Sequence, residues 1–227
     1  GPICTAVAKE IVQVNDRKTK VVIDLSTIGL VAAQDIDGIL KDADIPYIDA
    51  PVSGGRKGAI AGTIAIMVGG PKEIFDEHMD VFKTFAKNPF HVGNVAGQGQ
   101  VVKMLNNFLS ATAMAATSEA VLFGLSQGVE MKAILDVVNV STGMNTATLD
   151  KFPNQVMTEN FNAGFFTKLL AKDVRLFREN TDKAGTPNAI GTMISKIYDG
   201  CEEALPGSDF TNVYKFICDG GEKKTLG

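Results

Sequence analysis

Hydrophobic and polar positions follow two different rhythms along this chain. Up to about Asn94, short β-branched runs alternate with stretches of helical period. Ile3 to Val14 is spaced as an amphipathic helix, Val21 to Asp24 as a short strand ending in an acid, and Leu30 to Asp42 as a second helix. Ile45 to Asp49 and Thr63 to Val68 are further strand candidates, and Pro89 to Val92 a fourth. Between the last two, Pro71 to Ala86 opens with a proline and then acids, the signature of a helix start. Strands alternating with helices of this length predict an α/β layer with crossover connections.

After Gly99 the rhythm changes. Val101 to Ser126 is rich in Ala, Leu, Met, Val and Phe and contains no proline, which predicts one long helix, apolar nearly all round and therefore buried on most sides. Helical segments follow at 131–140, 145–158, 166–184, 187–204 and 209–218, punctuated by Gly128, Gly143, Gly164, Gly185-Thr186-Pro187 and Pro206-Gly207. No strand is expected there. The reading is an α/β part over residues 1–95 followed by an all-helical part over 96–227.

Composition narrows the function classes. Among 227 residues, 22 Lys+Arg face 26 Asp+Glu, and a formal charge of −4 argues against a nucleic-acid binder, which would carry a basic stripe. No uninterrupted apolar run approaches the roughly 18 residues of a membrane span, so no membrane role is expected. Cys4, Cys201 and Cys218 stand far apart with no CxxC, which fits a reducing, cytoplasmic setting and offers no metal framework. The only histidines, His78 and His91, are too few for a His-rich metal site and read as satisfied or solvated side chains.

Four pieces could carry chemistry. Asp49-Ala50-Pro51-Val52-Ser53-Gly54-Gly55 follows a strand, where ligands of α/β sheets gather. Its hydroxyl and unshielded backbone N–H groups suit a carboxylate or phosphate, although the string also reads as a plain glycine turn. Gly97-Gln98-Gly99-Gln100-Val101-Val102-Lys103-Met104-Leu105-Asn106-Asn107 opens the long helix, with Lys103 and Asn107 four apart on one face. Either they line a polar pocket, where a desolvated lysine becomes a usable acid or base, or Lys103 snorkels from a solvated first turn. Leu169-Leu170-Ala171-Lys172-Asp173 alone reads as a surface charge cluster, and Asp24-Leu25-Ser26-Thr27-Ile28 alone as a strand followed by a cap.

Taken together and in this order, DLSTI, DAPVSGG, GQGQVVKMLNN and LAKD resemble the β-hydroxyacid dehydrogenase family, which includes 3-hydroxyisobutyrate dehydrogenase and tartronate semialdehyde reductase. The resemblance runs through essentially the whole chain, GTIAIMVGG and the helical tail included. It implies the C-terminal part of a Rossmann-like dinucleotide-binding domain, followed by a helical domain like the C-terminal domain of 6-phosphogluconate dehydrogenase. It further implies hydride transfer between NAD or NADP and a small 3-hydroxy acid. On that resemblance Lys103 is the catalytic acid/base. Ser53, Gly54 and Gly55 take the substrate carboxylate, with Asn106 and Asn107 also on the substrate side, and Thr27 and Lys172 lie beside the cofactor. Pro2 is a weak match to a Leu-Pro pair that touches cofactor, Gly1 standing in place of the leucine.

The departure from the family is equally specific. Nothing here matches a GxGxxG turn in an opening βαβ unit, because Gly97-Gln98-Gly99 follows no opening strand. The chain therefore reads as such an enzyme without roughly its first 70 residues, scaled on one βαβαβ half. Two classes stay open: a dehydrogenase, and a non-catalytic fragment that serves only as a helical oligomerisation module with an empty substrate pocket. A phosphate-binding sensor built on the Ser53 loop is a weaker third. The long apolar helix calls for cover on nearly every side and predicts a homo-oligomer, a dimer or tetramer.

Overall fold

A computed structural model describes residues 1–226 and divides the chain into two units, Gly1–Leu105 and Asn106–Gly227. In the first, α1 (Pro2–Gln13), β1 (Val22–Asp24) and α2 (Leu30–Lys41) lead into β2 (Tyr47–Asp49) and β3 (Val52–Ser53). Then come α3 (Gly55–Ala61), β4 (Ile64–Gly69), α4 (Lys72–Glu77), α5 (Met79–Lys83), β5 (Ala86–Gly93) and the start of α6 (Gln98–Ser126).

The sheet runs β1-β2-β4-β3, with β5 also on β4. β1 and β2 pair in parallel across the α2 crossover, and β4 and β5 in parallel across α4 and α5, as the strand–helix alternation predicts. The segment between β2 and β4 behaves differently. Asp49 pairs antiparallel with Gly69, Val52 with Ile66 and Ser53 with Ala65. These pairs share one register, so β2 and β3 form a single ladder along β4, interrupted where Pro51 has no N–H to give. Pro51 still accepts from the Met67 amide at 3.0 Å.

Both sheet faces are covered. Side chains alternate across the pleat, so Tyr47 turns to a cluster with Ala8, Ala33, Ile36 and Leu40 from α1 and α2. Ile48, Ile64, Ile66 and Val68 turn the other way, onto Phe75 and Phe82 of α4 and α5. This is the layered arrangement expected of an α/β unit.

Several elements depart from the sequence reading. The Ser53 loop, which the sequence leaves open as an anion cradle or a plain glycine turn, closes a two-residue strand and enters the short helix α3. The helix expected over 71–86 breaks at His78, whose backbone leaves helical geometry (φ −101°, ψ 10°). There the Ile74 carbonyl oxygen accepts from the His78 amide, and His78 Nδ1 lies 2.8 Å from it. The strand expected at 89–92 is longer, Ala86–Gly93. By length and apolar composition α6 would suffice to cross a membrane, which the count of uninterrupted apolar residues did not reveal because serines and threonines punctuate the run. Buried core helices share those traits, and Gln100, Asn107, Thr117 and Ser118 are buried polar residues on α6. Against the expectation of burial on most sides, only 33% of its most apolar stretch is buried in the single chain, and Leu109 and Phe123 face outward.

In the second unit the rest of α6 is followed by α7 (Met131–Val138), a π-helical segment (Ala147–Val156), α8 (Thr167–Ala184) and α9 (Ala189–Ala204). A 3₁₀ turn (Phe210–Asn212), α10 (Val213–Cys218) and α11 (Gly221–Leu226) complete it. The widened turn holds Pro153, which has no amide N–H to donate, and it closes with a bond from the Met157 amide to the Phe152 carbonyl, the spacing of a π-turn. Met114, Phe152, Leu170, Tyr198 and Phe216 lie in its core. The single β-like contact in this unit, among the described residues, is an isolated bridge between Phe166 and Asp209.

Candidate functional site

The amino end of α6 is where the expected chemistry is anchored. Gly97, just before the helix, has φ +92° and no side chain with which to cap it. The capping group comes instead from the end of β2. Asp49 is fully buried, and its carboxylate accepts from the Gly97 amide at 2.6 Å and the Gln100 amide at 2.7 Å. A negative charge at a helix amino end also meets the positive end of its dipole. Burial pushes this carboxyl up to about 6, the two amide bonds oppose the rise, and nearby Asp24 adds to it.

The approach is close enough to dictate two glycines. A Cβ on Gly99 would stand 2.2 Å from the Met67 carbonyl oxygen and 2.6 Å from Asp49 Oδ2. One on Gly69 would stand 2.6 Å from both Asp49 Oδ1 and the Gly99 amide nitrogen. Gly99 in the first turn of α6 and Gly69 at the end of β4 thus serve close packing of helix on strand.

Gln100 is also fully buried. Its Oε1 accepts from the Ile28 amide at 2.9 Å and the Gly29 amide at 3.1 Å, while its Nε2 donates to the Ser26 carbonyl at 2.9 Å. The loop it holds leaves the carboxyl end of β1 and carries Thr27, which is half-buried. Asp24 shapes the start of this loop by accepting from the Ser26 amide at 2.8 Å, and it also accepts from the Tyr47 hydroxyl at 3.3 Å.

Ser53 ends β3, and the two glycines after it are required by the bend. Gly54 has φ +131°, and a Cβ there would lie 3.1 Å from Ile64 Cγ2; Gly55 has φ +60°. The sequence's two readings of this string, cradle and turn, are therefore compatible: a tight bend with hydroxyl and amide groups.

Lys103 lies in the second turn of α6 and is half-buried, as is Asn106; Asn107 is buried. Asn106 Nδ2 donates to Asn107 Oδ1 at 3.1 Å, and Asn107 Nδ2 donates to Asp173 Oδ2 at 2.6 Å. Asp173, on α8, is itself buried, and Lys172 Nζ stands 2.8 Å from its Oδ1. Asn107 and Lys172, chosen separately from the sequence, thus meet at Asp173. Lys172 is 41% exposed, so its pair with Asp173 is screened on one side only.

Three residues of the arrangement were not singled out from sequence: Asp49, Gln100 and Asp173. Each stood inside a quoted motif. Their signal is a polar side chain set among apolar neighbours, which must find a partner if buried.

The carboxyl end of β1 has groups that could hold part of a cofactor. At the carboxyl end of a parallel strand, Leu25 offers an exposed apolar side, and Ser26 and Thr27 offer hydroxyls. The histidines are otherwise engaged: His91 Nε2 lies 2.8 Å from the Gly70 carbonyl oxygen, and His78 is held at Ile74.

Two family models match the chain: the NAD binding domain of 6-phosphogluconate dehydrogenase over residues 3–93, and NAD-binding of NADP-dependent 3-hydroxyisobutyrate dehydrogenase over 97–217. The NAD-dependent L-serine dehydrogenase of Pseudomonas aeruginosa is 33% identical over 183 residues, which are 78% of this chain and 61% of that protein. The 2-(hydroxymethyl)glutarate dehydrogenase of Eubacterium barkeri is 32% identical over 180 residues, 79% of this chain and 60% of that one. Among solved structures, Mycobacterium tuberculosis 3-hydroxyisobutyrate dehydrogenase with L-serine superposes with a TM-score of 0.87 at 27% identity, over 95% of this chain and 76% of that one. The chain spans about three-fifths of the length of the curated relatives it matches.

Proposed function

Since the chain belongs to the β-hydroxyacid dehydrogenase family, we propose that it carries the substrate-side machinery of an NAD(P)-dependent dehydrogenase of small 3-hydroxy acids. The observation that carries this reading is the capping of α6 by Asp49. It fixes the helix of Lys103 to the strand whose continuation is the Ser53 bend.

The relatives' substrates suggest the chemical class. L-Serine, 3-hydroxyisobutyrate and 2-(hydroxymethyl)glutarate are all HOCH2–CH(R)–COO⁻, a primary alcohol two carbons from a carboxylate, differing only in R. Recognition then needs one group for the carboxylate and one for the alcohol. Ser53, Gly54 and Gly55 anchor the carboxylate through hydroxyl and amide donors. Lys103 meets the alcohol, takes its proton during oxidation and returns it during reduction, a role typically worth about 10²–10⁴-fold.

Asn107 orients the alcohol or the lysine from the next turn of α6, with its own amide fixed by Asp173. Asn106 bonds to Asn107 and supports the same face. Thr27 borders the nicotinamide at the end of β1, and Lys172, paired with Asp173, is the later lysine beside the cofactor. When bound, the nicotinamide supplies the hydride acceptor or donor.

The test is oxidation of a panel of HOCH2–CH(R)–COO⁻ acids followed by absorbance of the reduced cofactor, for the chain and for Lys103→Ala. Loss of at least about a hundredfold in turnover is expected for the variant. Near-unchanged turnover would remove Lys103 from the mechanism.

The assembled form proposed is a homo-oligomer. Large apolar side chains of the second unit, among them Leu109, Phe123, Val137 and Val140, are exposed in the single chain, and a second copy would cover them.

A further inference from the structure

We infer that Gln100 is a positioning residue that ties the loop carrying Thr27 to the helix carrying Lys103. The inference rests on the dehydrogenase reading and names a residue that reading leaves without a role. Gln100 is joined to its surroundings in two independent ways. Its backbone amide donates to Asp49 Oδ2 at 2.7 Å, which fixes it to the end of β2. Its side chain makes three bonds to the Ser26–Gly29 loop, at 2.9, 3.1 and 2.9 Å.

The chemistry of the amide matters. The loop presents two donors, the Ile28 and Gly29 amides, and one acceptor, the Ser26 carbonyl, all to one buried side chain. An amide satisfies both kinds at once, with both oxygen lone pairs and one N–H in use. A carboxylate would accept the two donors and face the Ser26 carbonyl with no proton to give. An alanine would leave the buried Ile28 and Gly29 amides unmet and the Ser26 carbonyl without this partner.

Lys103 follows Gln100 by three residues, just under one helical turn, on the same rigid helix. The tie therefore sets the distance between the cofactor-side loop and the proton-transferring amine. Displacements on the order of 1 Å between such groups can cost about 10²-fold in rate. The side chain makes no bond to the Ser53 bend, so the substrate carboxylate should be held independently of it.

The test compares Gln100→Ala and Gln100→Glu with wild type in three readouts: KM for NAD(P), KM for the hydroxy acid, and hydrogen exchange at the Ile28 and Gly29 amides. Gln100→Ala should raise the cofactor KM by at least about tenfold and leave the hydroxy-acid KM within about twofold. Gln100→Glu, which keeps both acceptor bonds, should recover part of the loss and stay folded if the alanine variant does not. Exchange at both amides should quicken in Gln100→Ala. Equal changes in the two KM values, or an unchanged cofactor KM, would overturn the inference. So would unchanged exchange at Ile28 and Gly29, whether or not turnover is seen. Faster exchange in the variant together with no hydride transfer by wild type supports the tie and refutes the dehydrogenase reading instead.

Discussion

Asp49 offers a direct thermodynamic test of the arrangement. Its carboxyl is fully buried and raised from the ordinary 3.8 to about 6, chiefly by desolvation. Below pH 3.8 it is protonated in both the folded and unfolded chain, and its contribution to stability is at its most favourable. Between 3.8 and about 6 the unfolded chain releases the proton while the folded chain keeps it, so each rise in pH favours unfolding. Above about 6 both states are ionised, and the folded state bears the full cost of a buried charge. The difference corresponds to about 3 kcal/mol. Asp49→Asn removes the titration, but one of the Gly97 and Gln100 amides then faces an NH2 group and goes unmet, a loss of about 1–3 kcal/mol. Absolute stabilities of the two proteins can therefore lie close together, and the informative quantity is the pH dependence. Urea unfolding at several pH values from 4 to 7.5 should show the stability of wild type relative to Asp49→Asn falling by about 2–2.5 kcal/mol across that interval. A constant difference would show that the carboxyl is not desolvated, and the account of the α6 cap would be wrong.

Other outcomes are expected from the same geometry. Ser53→Ala should raise KM for the hydroxy acid with little change in kcat; an unaltered KM would reduce the bend to a turn. Gly99→Ala should destabilise the protein by about 1–3 kcal/mol in urea melts, because the obstructing atom is the Met67 backbone oxygen and cannot rotate away; wild-type stability would contradict the close helix–strand approach. Size-exclusion chromatography with light scattering should return a dimer or larger at micromolar concentration, and a clean monomer would refute the proposed assembly.

What the sequence disclosed and what it concealed divide along a physical line. The α/β-then-helical order was legible because each element writes its own period: Ile64 to Val68 alternates into one cluster, and residues 101–126 run as one apolar helix. Lys103 and Asn107 were legible as polar residues in a greasy helix. Asp49, Gln100 and Asp173 bear the same polar-among-apolar mark, but what they hold was not legible, since their partners lie 48 to 74 residues away in the chain. The two-residue strand β3 was too short for any period to show, and the break at His78 depends on one carbonyl with two claimants. The antiparallel return of β4 was equally silent, because strand direction is decided by how Pro51 to Gly62 reconnects rather than by the residues within the strand.

The single register shared by β2 and β3 constrains length as well as chemistry. Side chains on a pleated strand swap faces with every residue, so Asp49 and Ser53, four apart, look to the same side. Adding or deleting one residue among Ala50, Pro51 and Val52 would turn the serine to the opposite face while leaving every named group intact. For this chain the count of residues between the buried acid and the hydroxyl is itself a heritable part of the machinery. An insertion there should be more damaging than most replacements of the side chains it separates.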